Sequence, residues 1–143
     1  MLSNTSKYAI RAVIYLELFA SKEKKAGIKE IAKELGIPSP FLGKILQTLA
    51  RKQVLDSSKG PGGGFSLKKP AMDISLMEIV EIIDGPDVFD QCVIRTSSCD
   101  HENPCSLHEK ISPYQRGIKS LMLTESIADL ASEFRKGKEK IRI

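Results

Sequence analysis

In the stretch IKEIAKELGIPSPFLGKILQTLAR, Ile28 to Arg51, two short apolar periodicities are separated by one glycine and two prolines. Ile28, Ile31, Ala32 and Leu35 form the i, i+3, i+4, i+7 set of an amphipathic helix. Gly36 suits its end, because helices commonly close on a residue in the left-handed conformation that glycine adopts without strain. After Ile37 and Pro38, Ser39 is expected to cap a further helix and Pro40 to occupy its first turn. The expected core face of that helix is Phe41, Leu42, Ile45, Leu46 and Leu49; its outward face carries Gly43, Lys44, Gln47, Thr48 and Arg51. The small Ala32 lies where a tight helix pair needs close packing. Two short helices on a tight connection form a helix-turn-helix pattern. Any packed helix pair satisfies the same spacing, so the flanking segments must discriminate.

On the C-terminal side, Val54 to Ser58 reads as a strand, Lys59-Gly60-Pro61-Gly62-Gly63-Gly64 must turn, and Phe65 to Lys68 alternates apolar and polar residues. A hairpin directly after a helix-turn-helix makes a winged helix. On the N-terminal side, Ala9, Ala12, Val13, Leu16 and Ala20 recur at helical spacing, with Thr5 or Ser6 as the expected cap. Ser75 to Glu78 has capping-box spacing and opens a fourth helix that Gly85-Pro86 ends. Asp87 to Pro104 shows no period and is long for a connection, which calls for a reason such as a metal. Leu107, Ile111, Tyr114, Ile118, Leu121 and Met122 then mark a long fifth helix, with Pro113 requiring a start near Ser112 or a bend. A cap at Ser126 to Asp129 opens a short sixth helix, followed by a basic tail expected to fray. The fold class is therefore mainly α with a small β-hairpin. Residues 1–84 are expected to form a winged helix-turn-helix, 85–108 a cluster-binding loop, and 109–143 a long helix and tail.

At 143 residues, 41% hydrophobic and 28% charged, with 10 glycines and 7 prolines, the chain is no large multidomain enzyme and neither collagen-like nor wholly disordered. No apolar run reaches membrane-span length, and Lys7, Arg11 and Glu17 interrupt any leader-like core, so a soluble cytoplasmic protein without a membrane partner is expected. Charge is unevenly distributed. Residues 1–70 carry 13 Lys/Arg against 5 Asp/Glu, while Asp73 to Glu109 holds nine acids and one base, Arg95. By charge alone the front half fits a polyanion-facing surface and a merely solvated one equally well, whereas the acidic segment is repelled from a polyanion.

On this reading Ser39, Pro40, Gly43, Lys44 and Gln47 face the major groove of double-stranded DNA. Lys44 and Gln47 reach base edges and Ser39 a phosphate. Lys59, Gly60 and Gly62 form a wing tip that approaches the flanking minor groove, because a glycine-rich turn lets backbone amides come close. Lys7, with Lys52, Lys68 and Lys69, adds backbone contacts. A nucleotide-phosphate loop is excluded at Gly60 to Gly64, since no Gly-Lys-Ser/Thr ending and no helix follow.

The cysteines follow the pattern Cys92-x6-Cys99-x5-Cys105-x2-His108. Three thiolates and an imidazole are the full complement for one metal or a two-iron cluster. Structural zinc sites use tighter knuckles, so the wider spans favour an iron–sulfur cluster. None of the three cysteines lies on an apolar stripe, which argues against core roles. His101 competes with His108 for the fourth place, but His108 stands near a helix start that can orient its ring.

The run Ser6-Lys7-Tyr8-Ala9, the helix-turn-helix from Ile31-Ala32 to Leu46, the glycine-rich Lys59 to Phe65 and the cysteine triplet together resemble the IscR and NsrR family of bacterial winged-helix regulators. The resemblance spans nearly the whole chain. It implies a homodimer crossed through the long fifth helix, binding palindromic promoter DNA and sensing iron–sulfur status, nitric oxide or redox state. Cys92, Cys99 and Cys105 look like the cluster thiolates, and His108 is similar to the histidine ligand of the two-iron branch. The four-iron branch takes a carboxylate from near the partner's N-terminus; here that region has no acid before Glu17, so [2Fe-2S] is favoured over [4Fe-4S]. The first gap is x6 where x5 is commoner, and Lys59 stands where many members carry arginine.

Two other classes fit part of the pattern. A metal-free regulator would use the cysteines as thiol-redox sensors, and an iron–sulfur carrier would use the basic half to dock an acidic partner. The winged helix disfavours the carrier. A hydrolase pairing Cys105 with His108 lacks an orienting third group.

Overall fold

The computed structural model describes residues 2–97 and 99–137. Helix α1 spans Asn4–Phe19, α2 Ile28–Leu35 and α3 Ser39–Arg51. Strands β1 (Leu55–Ser58) and β2 (Gly64–Leu67) follow, then a short 3₁₀ turn at Ala71–Asp73. Helices α4 (Leu76–Asp84), α5 (His108–Thr124) and α6 (Ile127–Arg135) complete the order.

Gly36 ends α2 at φ 71°, and the N–H of the buried Ile37 donates to the Ala32 carbonyl at 3.0 Å, closing the helix end as the sequence predicts. The cap of α3 differs from expectation. Pro38 holds the N-cap position and Ser39 is already helical, because the Pro38 carbonyl accepts the first helical bond, from Leu42 N–H at 3.0 Å. The α3 faces also differ at two positions. Phe41 is 39% exposed and meets the Tyr8 ring edge-on at 5.7 Å. Gly43, expected outward, is buried where α3 crosses α2; a methyl there would sit 3.5 Å from Ile28 Cδ1.

Helix α1 starts earlier than expected, on Ser3. The Ser3 hydroxyl accepts from Ser6 N–H at 3.0 Å and donates to Asp84, while Ser3 N–H donates to the same carboxylate at 3.0 Å. This joins the start of α1 to the end of α4. At the start of α4, Ser75 accepts from Glu78 N–H at 3.1 Å, but the Glu78 carboxylate turns to Lys69 at 2.5 Å instead of closing the capping box.

The hairpin pairs Leu55 with Leu67 and Ser58 with Gly64 in antiparallel register. It is fastened to the chain before α2: Ala26 N–H donates to Phe65 O at 3.0 Å and Phe65 N–H to Ala26 O at 2.8 Å. Gly64 makes that approach possible, since at φ +142° any Cβ would lie 2.3 Å from the Ala26 carbonyl oxygen. Lys25 pairs with Asp56 at 2.8 Å beside it.

The main core joins Ala12 and Leu16 of α1 to Ile31, Leu42, Leu46, Leu49 and Leu55, all at most 1% exposed. Each such leucine contributes about 1.5–3 kcal/mol through burial. Ile127 and Ala131 of α6 lie in the same core at 0% exposure. Helix α6 therefore belongs to the main core, whereas α5 contributes no buried residue. The chain returns through a bridge in which Leu76 N–H donates to Glu125 O at 3.0 Å and Ile127 N–H to Ile74 O at 2.9 Å. The capping box at α6 is complete, Ser126 and Asp129 each serving the other's backbone N–H. The expected frayed tail lies mostly outside the described residues, beyond Gly137.

Helix α5, 17 residues and about 25 Å long, begins at His108 rather than near Ser112. Its first turn is seeded on the cysteine loop, with His108 N–H donating to Cys105 O at 3.0 Å and Ile111 N–H to Leu107 O at 2.9 Å. Pro113 is accommodated inside the helix on an exposed position. A second, smaller core of Met77, Val80 and Phe89 links α4 to the loop, with Leu2, Ile10, Ile118 and Met122 packed around it. No described helix is long and apolar enough to cross a membrane.

Candidate nucleic-acid interface and metal centre

Lys7, Pro40, Lys44, Gln47, Lys59, Gly60 and Gly62 are all exposed, and Ser39 is half-buried. A groove between α2, α3 and the hairpin is walled by Lys29, Gln47, Ser57, Ser58, Lys59 and Gly60. Gln47 and Lys59, expected at the major groove and the flanking minor groove respectively, border one depression. Lys44 opens onto another, between α1, α3 and α4, with Thr5, Phe41, Thr48 and Ile83. Gly43 is brought to neither, being buried against α2. Lys29 was not singled out from the sequence, although its place on the polar side of α2 directly after Ile28 was legible. Two of the auxiliary lysines are engaged elsewhere: Lys69 with Glu78 at 2.5 Å, and Lys68 with the Gln53 side-chain oxygen.

The cysteine loop is held at its start by Phe89, 3% exposed and the one buried residue among the described residues of 85–108. Lys119 of α5 pairs with Asp90 at 2.7 Å, Gln115 donates to the Gln91 carbonyl at 2.9 Å, and Cys99 N–H donates to the Asp90 carbonyl at 3.3 Å. These bonds fold the loop back over the first turns of α5. Cys92, Cys99, Cys105 and His108 consequently line a single recess with Leu107 and Ile111. Within it Cys92 Sγ lies 3.9 Å from Cys105 Sγ, and Cys99 Sγ lies 2.9 Å from His108 Nδ1.

The environment separates the thiols. Backbone N–H groups of Arg95, 3.4 Å from the sulfur, and of Ile94 hold the Cys92 thiol below its ordinary value. Burial, then the neighbouring Cys92 and Cys105 sulfurs, push Cys99 up. Three soft sulfur donors and one imidazole around a common space suit an iron–sulfur cluster or a thiophilic ion. His101, the weaker histidine candidate, is exposed, yet its ring stands edge-on to His108 at 5.3 Å.

Helix α5 beside this recess has no buried residue, with Tyr114 72% and Leu121 51% exposed. Its apolar stripe is therefore only partly covered within the chain.

A helix-turn-helix with a fastened wing, carrying a basic face, defines a winged-helix DNA-binding regulator. Residues 2–133 match the Rrf2 family, described as an iron-dependent transcriptional regulator, and the chain belongs to that family. It is 34% identical over 130 residues to a sequence from Aquifex aeolicus named as an HTH-type transcriptional regulator, covering 90% of this chain and 89% of that one. The regulator IscR of Cereibacter sphaeroides is 32% identical over 84 residues, 58% of this chain and 54% of its own. Among solved structures, the global cysteine regulator CymR of B. subtilis superposes with a TM-score of 0.77 at 19% identity, covering 92% of this chain and 96% of that one. IscR of T. potens gives 0.71 at 18% identity over 97% and 91%. These structural likenesses establish the winged-helix fold. The protein is a transcriptional regulator, not an enzyme.

Proposed function

We propose that the protein is a cytoplasmic homodimer that binds a palindromic operator in double-stranded DNA and changes its affinity with the state of a [2Fe-2S] cluster held by Cys92, Cys99, Cys105 and His108. The observation that carries this reading is the shared recess: four donors from a stretch of 17 residues face one space at the start of α5. When bound, the cluster supplies a redox-active, oxygen- and nitric-oxide-sensitive centre. The protein's own residues do the rest. The Cys105 carbonyl seeds α5, so cluster ligation and the first turn of that helix share a backbone. Phe89 transmits loop order into α4 through Met77 and Val80, and into α1 through Ile10.

The exposed stripe of α5, including Tyr114 and Leu121, is the surface that a second copy covers; reading two half-sites then requires the two α3 helices to stand about one DNA turn or a multiple apart. Residues 1–84 then read DNA through Ser39, Pro40, Lys44 and Gln47 of α3, with Lys7, Lys59, Gly60 and Gly62 at the flanks. Residues 85–108 hold the cluster, and α5 pairs the subunits. A useful regulator needs about 1–3 kcal/mol of coupling between cluster and DNA, and reciprocity requires DNA to favour one cluster state.

Anaerobic purification with visible absorption and iron and sulfide assays tests the cofactor: two of each per chain are expected, lost in Cys99→Ala. Operator titration of loaded and cluster-free protein at fixed salt tests the sensing; equal affinities would remove it. A second reading is favoured by the Cys92–Cys105 pair, whose sulfurs are 3.9 Å apart. Hydrogen peroxide would take two electrons from these thiols, forming the disulfide and, with the two thiol protons, two waters. Oxidation-dependent operator binding in material that never takes up iron would establish that reading instead.

A further inference from the structure

We propose that Cys99, His101 and His108 form a distinct single-ion site that takes Zn²⁺. Among the described residues, the ligand atoms of these three side chains all lie within 4.8 Å of one another. Two recesses meet at this point. One is walled by Cys92, Cys105, Cys99 and His108, the other by His101, Asp90, Ser112, Cys99 and His108. Cys99 and His108 thus form a common wall, with the remaining thiols on one side and the second imidazole on the other. The first space is thiol-rich and suits a cluster. The second offers one sulfur and two ring nitrogens, the mixed donor set that a borderline-soft divalent ion prefers.

The spacing of the Cys99–His108 pair is close to what an ion requires. In a tetrahedral zinc site, sulfur and nitrogen ligands stand about 3.6 Å apart, given Zn–S near 2.3 Å and Zn–N near 2.0 Å. Cys99 Sγ and His108 Nδ1 are 2.9 Å apart, in hydrogen-bond contact. An ion replaces the proton between them, which leaves to solvent, and spreads the pair by less than an ångström. His101 reaches the same place from the loop, where Asp100 holds the following turn by accepting from Glu102 N–H at 3.0 Å and Asn103 N–H at 3.2 Å. Water completes the fourth position.

Because Cys99 and His108 cannot serve both ligand sets, Zn²⁺ and the cluster exclude each other. Only this exclusion rests on the cluster reading; the ion site stands on the trio itself. The regulator would then respond to zinc availability through the same loop.

The test uses the full chain, cluster-free and anaerobic, titrated with Co²⁺ as a spectroscopic probe and then with Zn²⁺. One Co²⁺ per chain is expected, with tetrahedral d–d bands and a thiolate charge-transfer band that Zn²⁺ bleaches. His101→Ala, at an exposed position, should weaken Co²⁺ binding by about tenfold or more and leave cluster reconstitution intact. Cys92→Ala should do the reverse. Absence of Co²⁺ binding, indifference to His101→Ala, or loss of the ion in Cys92→Ala would overturn the proposal. If no variant takes a cluster while the Co²⁺ pattern holds, the cluster reading fails and the ion site stands.

Discussion

The two halves of the molecule are stabilised to different depths. From α1 to α3, Leu16, Ile31, Leu35, Leu42, Leu46 and Leu49 are sealed in one core, whereas α5 contributes no buried residue and the loop before it contributes Phe89 alone among its described residues. The α1–α3 half, completed by Ile127 and Ala131 of α6, is held by one continuous apolar core. The loop and α5 rest on a few polar bonds and one aromatic anchor, so a ligand or a second subunit has large leverage there. Under the proposed function, a reader must be rigid to hold register on DNA and a sensor easily ordered, and the difference in burial between the two regions suits that division.

That contrast can be broken or sharpened by substitution. The largest effect is expected for Leu46→Ala, which opens a cavity in the front core and costs about 2–5 kcal/mol; urea denaturation should report it as a global loss. Phe89→Ala should come next, costing at most about 3 kcal/mol because the loop can collapse around the gap. Its signature is local: hydrogen exchange should accelerate in the loop and start of α5 while the α1–α3 core stays protected. A global loss as large as that of Leu46→Ala would erase the distinction between the halves.

Gly64→Ala should cost about 1–3 kcal/mol by detaching the wing from Ala26. Operator affinity should fall in gel-shift titration while thiol content and accessibility stay unchanged. Asp84→Asn tests the tie between α1 and α4. Partial burial pushes the Asp84 carboxyl up, but hydrogen bonds from the Ser3 hydroxyl and N–H outweigh this and hold it below its ordinary value. A carboxylate depressed by folding stabilises above its unfolded value, near pH ~4, and loses that contribution as pH falls through its folded value. The wild type should therefore exceed the variant in stability at neutral pH, the gap closing on acid titration. The smallest effect belongs to Lys119→Ala, which removes a partly exposed pair with Asp90 and should cost about 0–1 kcal/mol, less in high salt.

Much of the fold was legible because its signals are local. The helix boundary at Gly36, the glycine-rich hairpin turn and the Ser126 capping box each depend on residues within a few positions of one another. The misplacements came from longer reach. Ser3 displaced Thr5 and Ser6 as the cap of α1 because Asp84, far along the chain, holds it there. Gly43 lies inward because α2 crosses α3 at that point, which helical spacing within α3 alone cannot reveal. Phe41 is drawn partly outward, against Tyr8. At the candidate metal centre the donors were readable as residue types, whereas the facing of His101 toward His108 depends on how the loop turns around Asp100.

The amino-acid order by itself determined the helix-turn-helix, the wing, the charge division and the inventory of sulfur and imidazole donors, since these follow from side-chain chemistry and short-range backbone preference. Only the tertiary structure decided that α6 returns to complete the N-terminal core, that Phe89 pins the loop, and that Cys99 and His108 wall two recesses at once. Each of those outcomes brings together residues distant in sequence or sets the turn of an aperiodic loop, and neither is encoded in a repeating pattern.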